Sequence, residues 1–216
     1  MRTLAAVTVL ALAVLLTAGT AFATDLVTMP LGNRAPVGGG EVDGIYVTPD
    51  VGPDSVLFLE GYYQVTAEIE VGCIYMKPEG FDSQTEVSAA YTVLPESLLN
   101  PAVIVGAYNL LGSDWGASDK ISPYVMAAKT LRVPKLGPPS PSDPVIRGHL
   151  GYGTECHGDA LFGGVQALLT PNIGVIVLHY NDESGAAATY IFRPGLEASA
   201  GIYADDPFVR VGAQFP

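Results

Sequence analysis

Glycine and proline interrupt this chain about every ten residues, and this punctuation is the feature that most limits how the chain folds. The chain has 25 glycines and 17 prolines, and few segments show the periodicity of an amphipathic helix. Between the breaks lie runs of about 9 to 12 β-branched, aromatic and small residues, which are typical of β-strands. Twelve strands are predicted, over residues 41–48, 55–66, 67–76, 84–94, 102–111, 122–133, 144–153, 160–169, 173–181, 185–193, 196–204 and 207–215. Such regular spacing favours an all-β fold, either a meander closed into a barrel or a sandwich.

Several of the predicted strands alternate between apolar and polar residues. Residues 196–204, for example, place Leu196, Ala198 and Ile202 on one face and Glu197 and Ser199 on the other. A soluble sandwich turns its apolar face inward, whereas a membrane barrel turns it outward. The alternation alone does not distinguish the two.

The connections between the predicted strands favour the barrel. Those after the second, fourth, eighth and tenth strands are tight or centred on proline, whereas those after the third, fifth, seventh, ninth and eleventh carry acidic residues. A transmembrane barrel with both termini in the periplasm has short turns on one side and longer polar loops on the other. The proline-rich connection at 134–143 is the exception, because it falls on the side of the short turns.

Aromatic residues give a second indication. The odd-numbered strands carry tyrosines toward the end that would lie outside the cell, namely Tyr46, Tyr75, Tyr108, Tyr152, Tyr180 and Tyr203. This pattern predicts an aromatic ring at one membrane interface, although tyrosine also favours strands in general. The last predicted strand closes on Phe215, the kind of ending that outer-membrane barrels present to the barrel-assembly machinery; the extra Pro216 departs from the usual terminal phenylalanine.

The composition agrees with a lipid-facing surface and excludes some partners. Hydrophobic residues make up 49% of the chain and charged residues 15%, which is well below the roughly 25% of an ordinary soluble domain. The formal charge is −12, so binding to the phosphate backbone of a nucleic acid is not expected.

The N-terminus has the pattern of a secretory signal. Arg2 precedes an apolar run at 4–16, and the small-x-small sequence at 21–23 predicts cleavage before Thr24. The alternative, a membrane-anchoring helix, needs about 20 apolar residues, and the run breaks at Thr17 and Gly19. We therefore predict a cleaved signal peptide at 1–23, an N-terminal periplasmic segment at 24–40 and a barrel at 41–216.

Segments along residues 67–215 carry a family resemblance. They are residues 85–96, 100–108, 124–129, 149–153, 162–171 and 190–196, each a strand with its turn. In these segments the chain resembles the small YjbH-like and related porin-like bacterial outer-membrane β-barrel proteins, which are associated with exopolysaccharide production. The resemblance implies a cell-envelope protein linked to polysaccharide export. The chain departs from the larger family members because it holds only one barrel's worth of strands.

Charged and amide side chains within the strands distinguish the two folds. On the lipid face an Arg or Lys at mid-membrane costs about 2–4 kcal/mol, so a barrel would turn such residues into its lumen. The predicted lumen residues are Glu60, Glu68, Glu70, Lys129, Arg132, Arg147, Gln166, Glu197 and Arg210. A barrel of this size is expected to have a plugged or narrow lumen, whereas a sandwich would place the same residues in water.

No motif indicates catalysis, a metal or a cofactor. The Cys-His-Gly-Asp sequence at 156–159 lacks the spacing of a known metal site, and no GxSxG motif is present. Cys73 and Cys156 are predicted on an apolar strand face and in an outer loop, and the sequence leaves open whether they pair.

These observations predict an all-β protein, a single antiparallel up-and-down transmembrane β-barrel of 10–12 strands in a bacterial outer membrane. The expected role is structural or passive transport, without enzymatic activity. The expected partners are outer-membrane lipid, the barrel-assembly machinery and polysaccharide or envelope proteins. The alternative is a secreted or periplasmic β-sandwich or lipocalin-like binding module.

Overall fold

Twelve β-strands form from the segments that lie between the glycine and proline breaks of the sequence. The computed structural model describes residues 37–49, 54–112, 120–132, 145–155, 159–180, 183–193 and 195–216. The strands are β1 Gly40–Val47, β2 Val56–Gln64, β3 Ile69–Pro78, β4 Gln84–Leu94, β5 Ala102–Tyr108, β6 Ser122–Arg132, β7 Val145–Gly153, β8 Ala160–Thr170, β9 Ile173–Tyr180, β10 Glu183–Arg193, β11 Leu196–Tyr203 and β12 Asp206–Phe215. Within these ranges no helix is long and apolar enough to span a bilayer.

The strands form one closed antiparallel sheet in which each pairs with its neighbours in sequence. The barrel closes where β1 pairs with β12, in a register that runs from Gly40 opposite Phe215 to Val47 opposite Phe208. This confirms the predicted up-and-down barrel and contradicts the sandwich, because a closed sheet has no free edges.

The even strand number brings both ends of the barrel sequence to the same rim. We call this rim the terminal end; it holds Gly40, Phe215 and the connections that follow the even-numbered strands. The opposite rim, the loop end, holds the connections that follow the odd-numbered strands. The acidic residues Glu79, Glu155 and Asp205 lie there.

The outer surface of the sheet is apolar. Large hydrophobic side chains are exposed along the outward face of the strands, among them Tyr46, Val71, Val105, Val125, Leu150, Leu161, Val165, Val177, Tyr190, Val209 and Val211. The side chain of Cys73 is exposed on this face as well. Charged residues on the outward face, such as Lys77 and Lys129, lie toward strand ends.

The interior is packed with side chains. Each of the twelve strands contributes at least one inward residue that is no more than 9% exposed. An apolar cluster that includes Ile45, Ile74, Ile104 and Met126 fills part of this space. The polar residues described below fill the rest. The interior is therefore occupied, as expected for a plugged or narrow lumen.

Three of the predicted interface tyrosines contribute to the interior instead. Tyr108 is buried, and Tyr180 and Tyr203 pack against the apolar cluster. The Tyr203 hydroxyl donates to the carbonyl oxygen of Tyr180 at 3.0 Å. The prediction of one aromatic ring built from all six odd-strand tyrosines is therefore wrong. Exposed aromatics lie toward both rims, with Tyr46 and Tyr152 toward the loop end and Tyr63, Tyr91 and Tyr190 toward the terminal end.

Turns built by short polar residues account for two of the shifts in strand bounds. β3 begins at Ile69 instead of residue 67 because the Thr66 hydroxyl accepts the N–H groups of Glu68 and Ile69, each at 3.1 Å. β5 ends at Tyr108 instead of residue 111 because Asn109 adopts a positive φ of 55°. Both are turn devices that short polar side chains provide.

Candidate functional site: the barrel interior

A cluster of four charged residues lies inside the barrel where the sheet closes. Arg210 on β12 is fully buried. One guanidinium nitrogen lies 2.6 Å from Glu41 Oε1 and 2.7 Å from Asp43 Oδ1, both on β1. Another nitrogen lies 2.6 Å from Glu197 Oε1 on β11. We call these four residues the Arg210 cluster. It links the last strand to both of its neighbours.

The sheet register explains how the cluster forms. Gly212 is the partner of Asp43 across one ladder and of Glu197 across the other. Gly212 carries no side chain, so the guanidinium of Arg210 lies over it between the two carboxylates. An added Cβ at Gly212 would overlap Asp43 Oδ1 and lie 3.0 Å from Arg210 Nη2. Close approach of the Asp43 and Arg210 side chains therefore favours a glycine at this position.

The interior around this cluster is acidic. Five inward strand carboxylates are buried, those of Glu41, Asp43, Glu60, Glu86 and Glu197. Among the side chains that the structure describes, the inward arginines are Arg210 and Arg147. Glu60 is the partner of Asp43 in the ladder between β1 and β2, so these two carboxylates occupy one level of the wall. Among the described side chains the buried carboxyl groups outnumber the inward arginines.

A second charged group lies at the terminal end beside β6 and β7. Glu96, in the connection between β4 and β5, accepts hydrogen bonds from the Thr130 N–H at 2.7 Å and from Arg147 Nη1 at 3.0 Å. Burial raises the pKa of Glu96, but the Thr130 hydrogen bond and the positive charge of Arg147 outweigh it, so the pKa lies below its ordinary value. The carboxylate is thus held in its charged form.

The predicted lumen residues occupy several different environments. Glu60, Glu197 and Arg210 are buried in the interior. Glu70 and Gln166 are half-buried, on the same strand faces as the buried residues Ile74 and Phe162. Arg147 is inward and bound to Glu96, whereas the side chain of Arg132 lies outside the described part of the chain.

Two of the predicted lumen residues lie elsewhere. Glu68 is exposed in the turn between β2 and β3, because the Thr66 hydroxyl folds this segment into a turn before β3 begins. Lys129 belongs to the outward-facing series of β6, and its ammonium turns to the rim, where carbonyl oxygens of the β4–β5 connection accept its hydrogen bonds. For Glu68 the turn replaces the predicted strand, whereas for Lys129 the alternation of β6 itself faces the residue outward and its long side chain reaches polar groups at the rim.

Several interior polar residues were not among those predicted. The sequence could have predicted Glu41 and Asp43, because they alternate along β1 with the outward residues Val42 and Tyr46. Glu96 could not be predicted in this way, because it lies in a connection and reaches the interior only through the fold.

The structure does not assemble a metal centre in its described residues, since no group of three or more His, Cys, Asp or Glu side chains has a metal-binding arrangement there. His149 is buried in the interior. Cys156 and His157 lie outside the described residues, so the pairing of Cys73 with Cys156 and the motif at 156–159 remain untested.

Fold and interior together define a class: a closed, up-and-down antiparallel β-barrel with an apolar exterior and an interior packed with both apolar and polar side chains. Among solved structures the chain is similar to the KdgM porin, with a TM-score of 0.55 and 10% sequence identity over 82% of this chain and 98% of that chain. It is also similar to the outer membrane protein Omp33 of Acinetobacter baumannii, with a TM-score of 0.49 and 12% identity over 82% of this chain and 96% of that chain.

The KdgM likeness is a likeness of fold. No protein-family model matches this chain, and no curated protein matches it in sequence. The YjbH-like resemblance therefore stays a prediction.

Proposed function

We propose that this protein is an integral β-barrel of a bacterial outer membrane, exported by a signal peptide and holding its terminal end in the periplasm. The observation that carries the proposal is the sorting of side chains by the closed sheet. Hydrophobic side chains project outward from the strands, while Asp43 and Arg210 are fully buried within. A water-soluble barrel would need the opposite arrangement, whereas a bilayer accepts this one.

Cell fractionation tests the proposal directly. We expect the chain in the outer-membrane fraction, with a gel mobility that changes on boiling because a folded barrel resists detergent. Recovery in the soluble periplasm without such a change would contradict it.

A pair of substitutions at one outward position makes the test sharper. Val177 lies on β9 and is 59% exposed. In a bilayer Val177→Arg costs about 2–4 kcal/mol near the midplane, whereas on a water-facing surface it would be nearly neutral. Val177→Leu is the matched control and should leave barrel stability unchanged. Equal stability of the two variants would contradict a lipid-facing strand.

The companion proposal is a passive-transport role, which the name of the KdgM porin suggests for a shared fold. Each strand contributes an inward side chain that is no more than 9% exposed. This packing supports a channel that is narrow and suited to water and small ions. The excess of interior carboxylates favours cations over anions. In planar bilayers we expect conductance steps far smaller than those of a wide porin, with cation preference. Large steps without ion preference would contradict this proposal.

A link to exopolysaccharide rests on the sequence resemblance alone. The packed interior supports association with the cell envelope more than a conduit for polymer. The link is tested by measuring surface polysaccharide in a strain that lacks this protein. An amount equal to that of the parent strain would contradict the link. Absence of enzymatic activity and recognition of the C-terminal strand by the assembly machinery are further parts of the proposal.

A further inference from the structure

The connection between β4 and β5 presents two adjacent leucines to the outside of the molecule. Leu98 is 92% exposed and Leu99 is 86% exposed, more than the other large hydrophobic residues of the described chain. They lie at the terminal end, between Leu94 of β4 and Ala102 of β5. Exposed leucines at the tip of a turn are unfavourable in water, because their apolar surface is left hydrated.

The turn that carries these leucines is firmly built. Ser97 N–H donates to the Asn100 carbonyl oxygen at 3.0 Å, and Asn100 N–H donates to Ser97 Oγ at 3.0 Å. The Lys129 ammonium donates to the carbonyl oxygens of Ser97 and Leu98, the latter at 3.1 Å. The leucines are therefore held outward by a fixed backbone.

The charge distribution of the turn leaves its tip apolar. Glu96 is the acidic residue of this connection, and its carboxylate is bound to Thr130 and Arg147 at the barrel rim. Lys129 points its ammonium at the backbone of the turn. By contrast, the β2–β3 turn at the same end exposes the acidic Glu68.

The apolar tip continues the outward surface of the barrel. Val93 and Leu94 at the end of β4 are both exposed, where a register shift breaks the alternation. Leu131 of β6, two residues beyond Lys129, is exposed as well. The leucines of the turn thus adjoin the surface that, under the proposed function, contacts lipid.

We infer that the β4–β5 turn is a membrane-interface anchor, in which Leu98 and Leu99 insert into the periplasmic leaflet at the boundary between headgroups and acyl chains. This inference rests on the proposed membrane location and adds a specific lipid contact outside the strands. Amphipathic elements bind this boundary through similar apolar insertion.

Tryptophan fluorescence in vesicles tests the anchor. The single native tryptophan, Trp115, is first replaced by Phe, and one tryptophan is then introduced at Leu98 or at Leu99. The full chain is folded into phosphatidylcholine vesicles in which the acyl chains carry bromine either near the headgroups or near the bilayer centre. We expect blue-shifted emission and a loss of intensity that is greater with bromine near the headgroups.

Two further positions separate the failure of this inference from the failure of the proposed function. Val177→Trp, on the outward face of β9, should be quenched by bromine near the bilayer centre; Ser83→Trp, exposed at the loop end, should not be quenched. Quenching at Val177 with none at Leu98 or Leu99 would overturn the anchor and leave the barrel in the membrane. No quenching at Val177 would overturn both. Blue-shifted emission at Leu98 without bromine quenching would show that protein covers the turn, which also overturns the anchor.

Discussion

Removal of the buried cation at the closure of the barrel should strongly destabilise the protein. Arg210 is fully buried and lies within 2.7 Å of three carboxylates. Arg210→Met keeps a long side chain over Gly212 but leaves those carboxylates in the interior without their shared cation. Loss of one partner from a buried ion pair costs about 3–5 kcal/mol, and we expect a loss in this range.

A compensated variant tests the reasoning. If the loss comes from uncompensated charge, then Arg210→Met combined with Glu41→Gln, Asp43→Asn and Glu197→Gln should recover most of it, because neutral side chains of similar volume often replace a buried ion cluster without loss.

The assay is unfolding by guanidinium chloride in detergent micelles, followed by the loss of the heat-modifiable gel form. Unchanged stability of Arg210→Met, or no recovery in the fourfold variant, would refute the argument. If the fourfold variant shows no recovery, the packing geometry of the cluster, and not its charge balance, determines its contribution to the free energy of unfolding.

Three further predictions concern other parts of the barrel. Gly212→Ala should cost about 1–3 kcal/mol through overlap with Asp43, whereas Gly148→Ala, which has open space around it, should be neutral in the same unfolding assay; equal effects would contradict the close-approach argument. The pKa of Glu96 lies below its ordinary value of 4.5, so its stabilising contribution should be complete above pH 4.5 and lost as the pH falls through the lowered value; hydrogen exchange at the Thr130 amide should show this, and Glu96→Gln should abolish the pH dependence. In membranes a charged maleimide should fail to label the outward Cys73 in a Cys156→Ser background until detergent is added; labelling before detergent would place that face in water.

The sequence predicted the strands well because turn-forming residues, such as proline, glycine and short polar residues, mark where the strands end. β4 occupies the predicted residues 84–94, bounded by a polar loop and by Pro95. Alternation also indicated which face of β11 and β12 would be apolar. The orientation of Tyr108 was not predictable in this way, because β5 is apolar on both faces and shows no alternation.

The Arg210 cluster could be predicted only in part. Arg210 and Glu197 lie on neighbouring strands joined by a tight hairpin. Alternation places both on the polar face, which the barrel prediction turns inward. Their contact with Glu41 and Asp43 depends on closure of the sheet, which brings together residues from opposite ends of the chain. Similarly, Glu96 binds Arg147 across 51 residues, from a connection with no strand periodicity.

The pairing of β1 with β12 also implies an order of events during folding. Arg210 binds Glu197 over 13 residues of chain but binds Glu41 over 169. The entropy of closing a flexible loop grows with the logarithm of its length, so the second contact is disfavoured by about 2 kcal/mol relative to the first. Hairpins between successive strands therefore form early, and the ladder between β1 and β12 forms last. Until it does, the sheet has two unpaired edges that can add strands from another chain, and the contacts of Arg210 with Glu41 and Asp43 stabilise only the closed state.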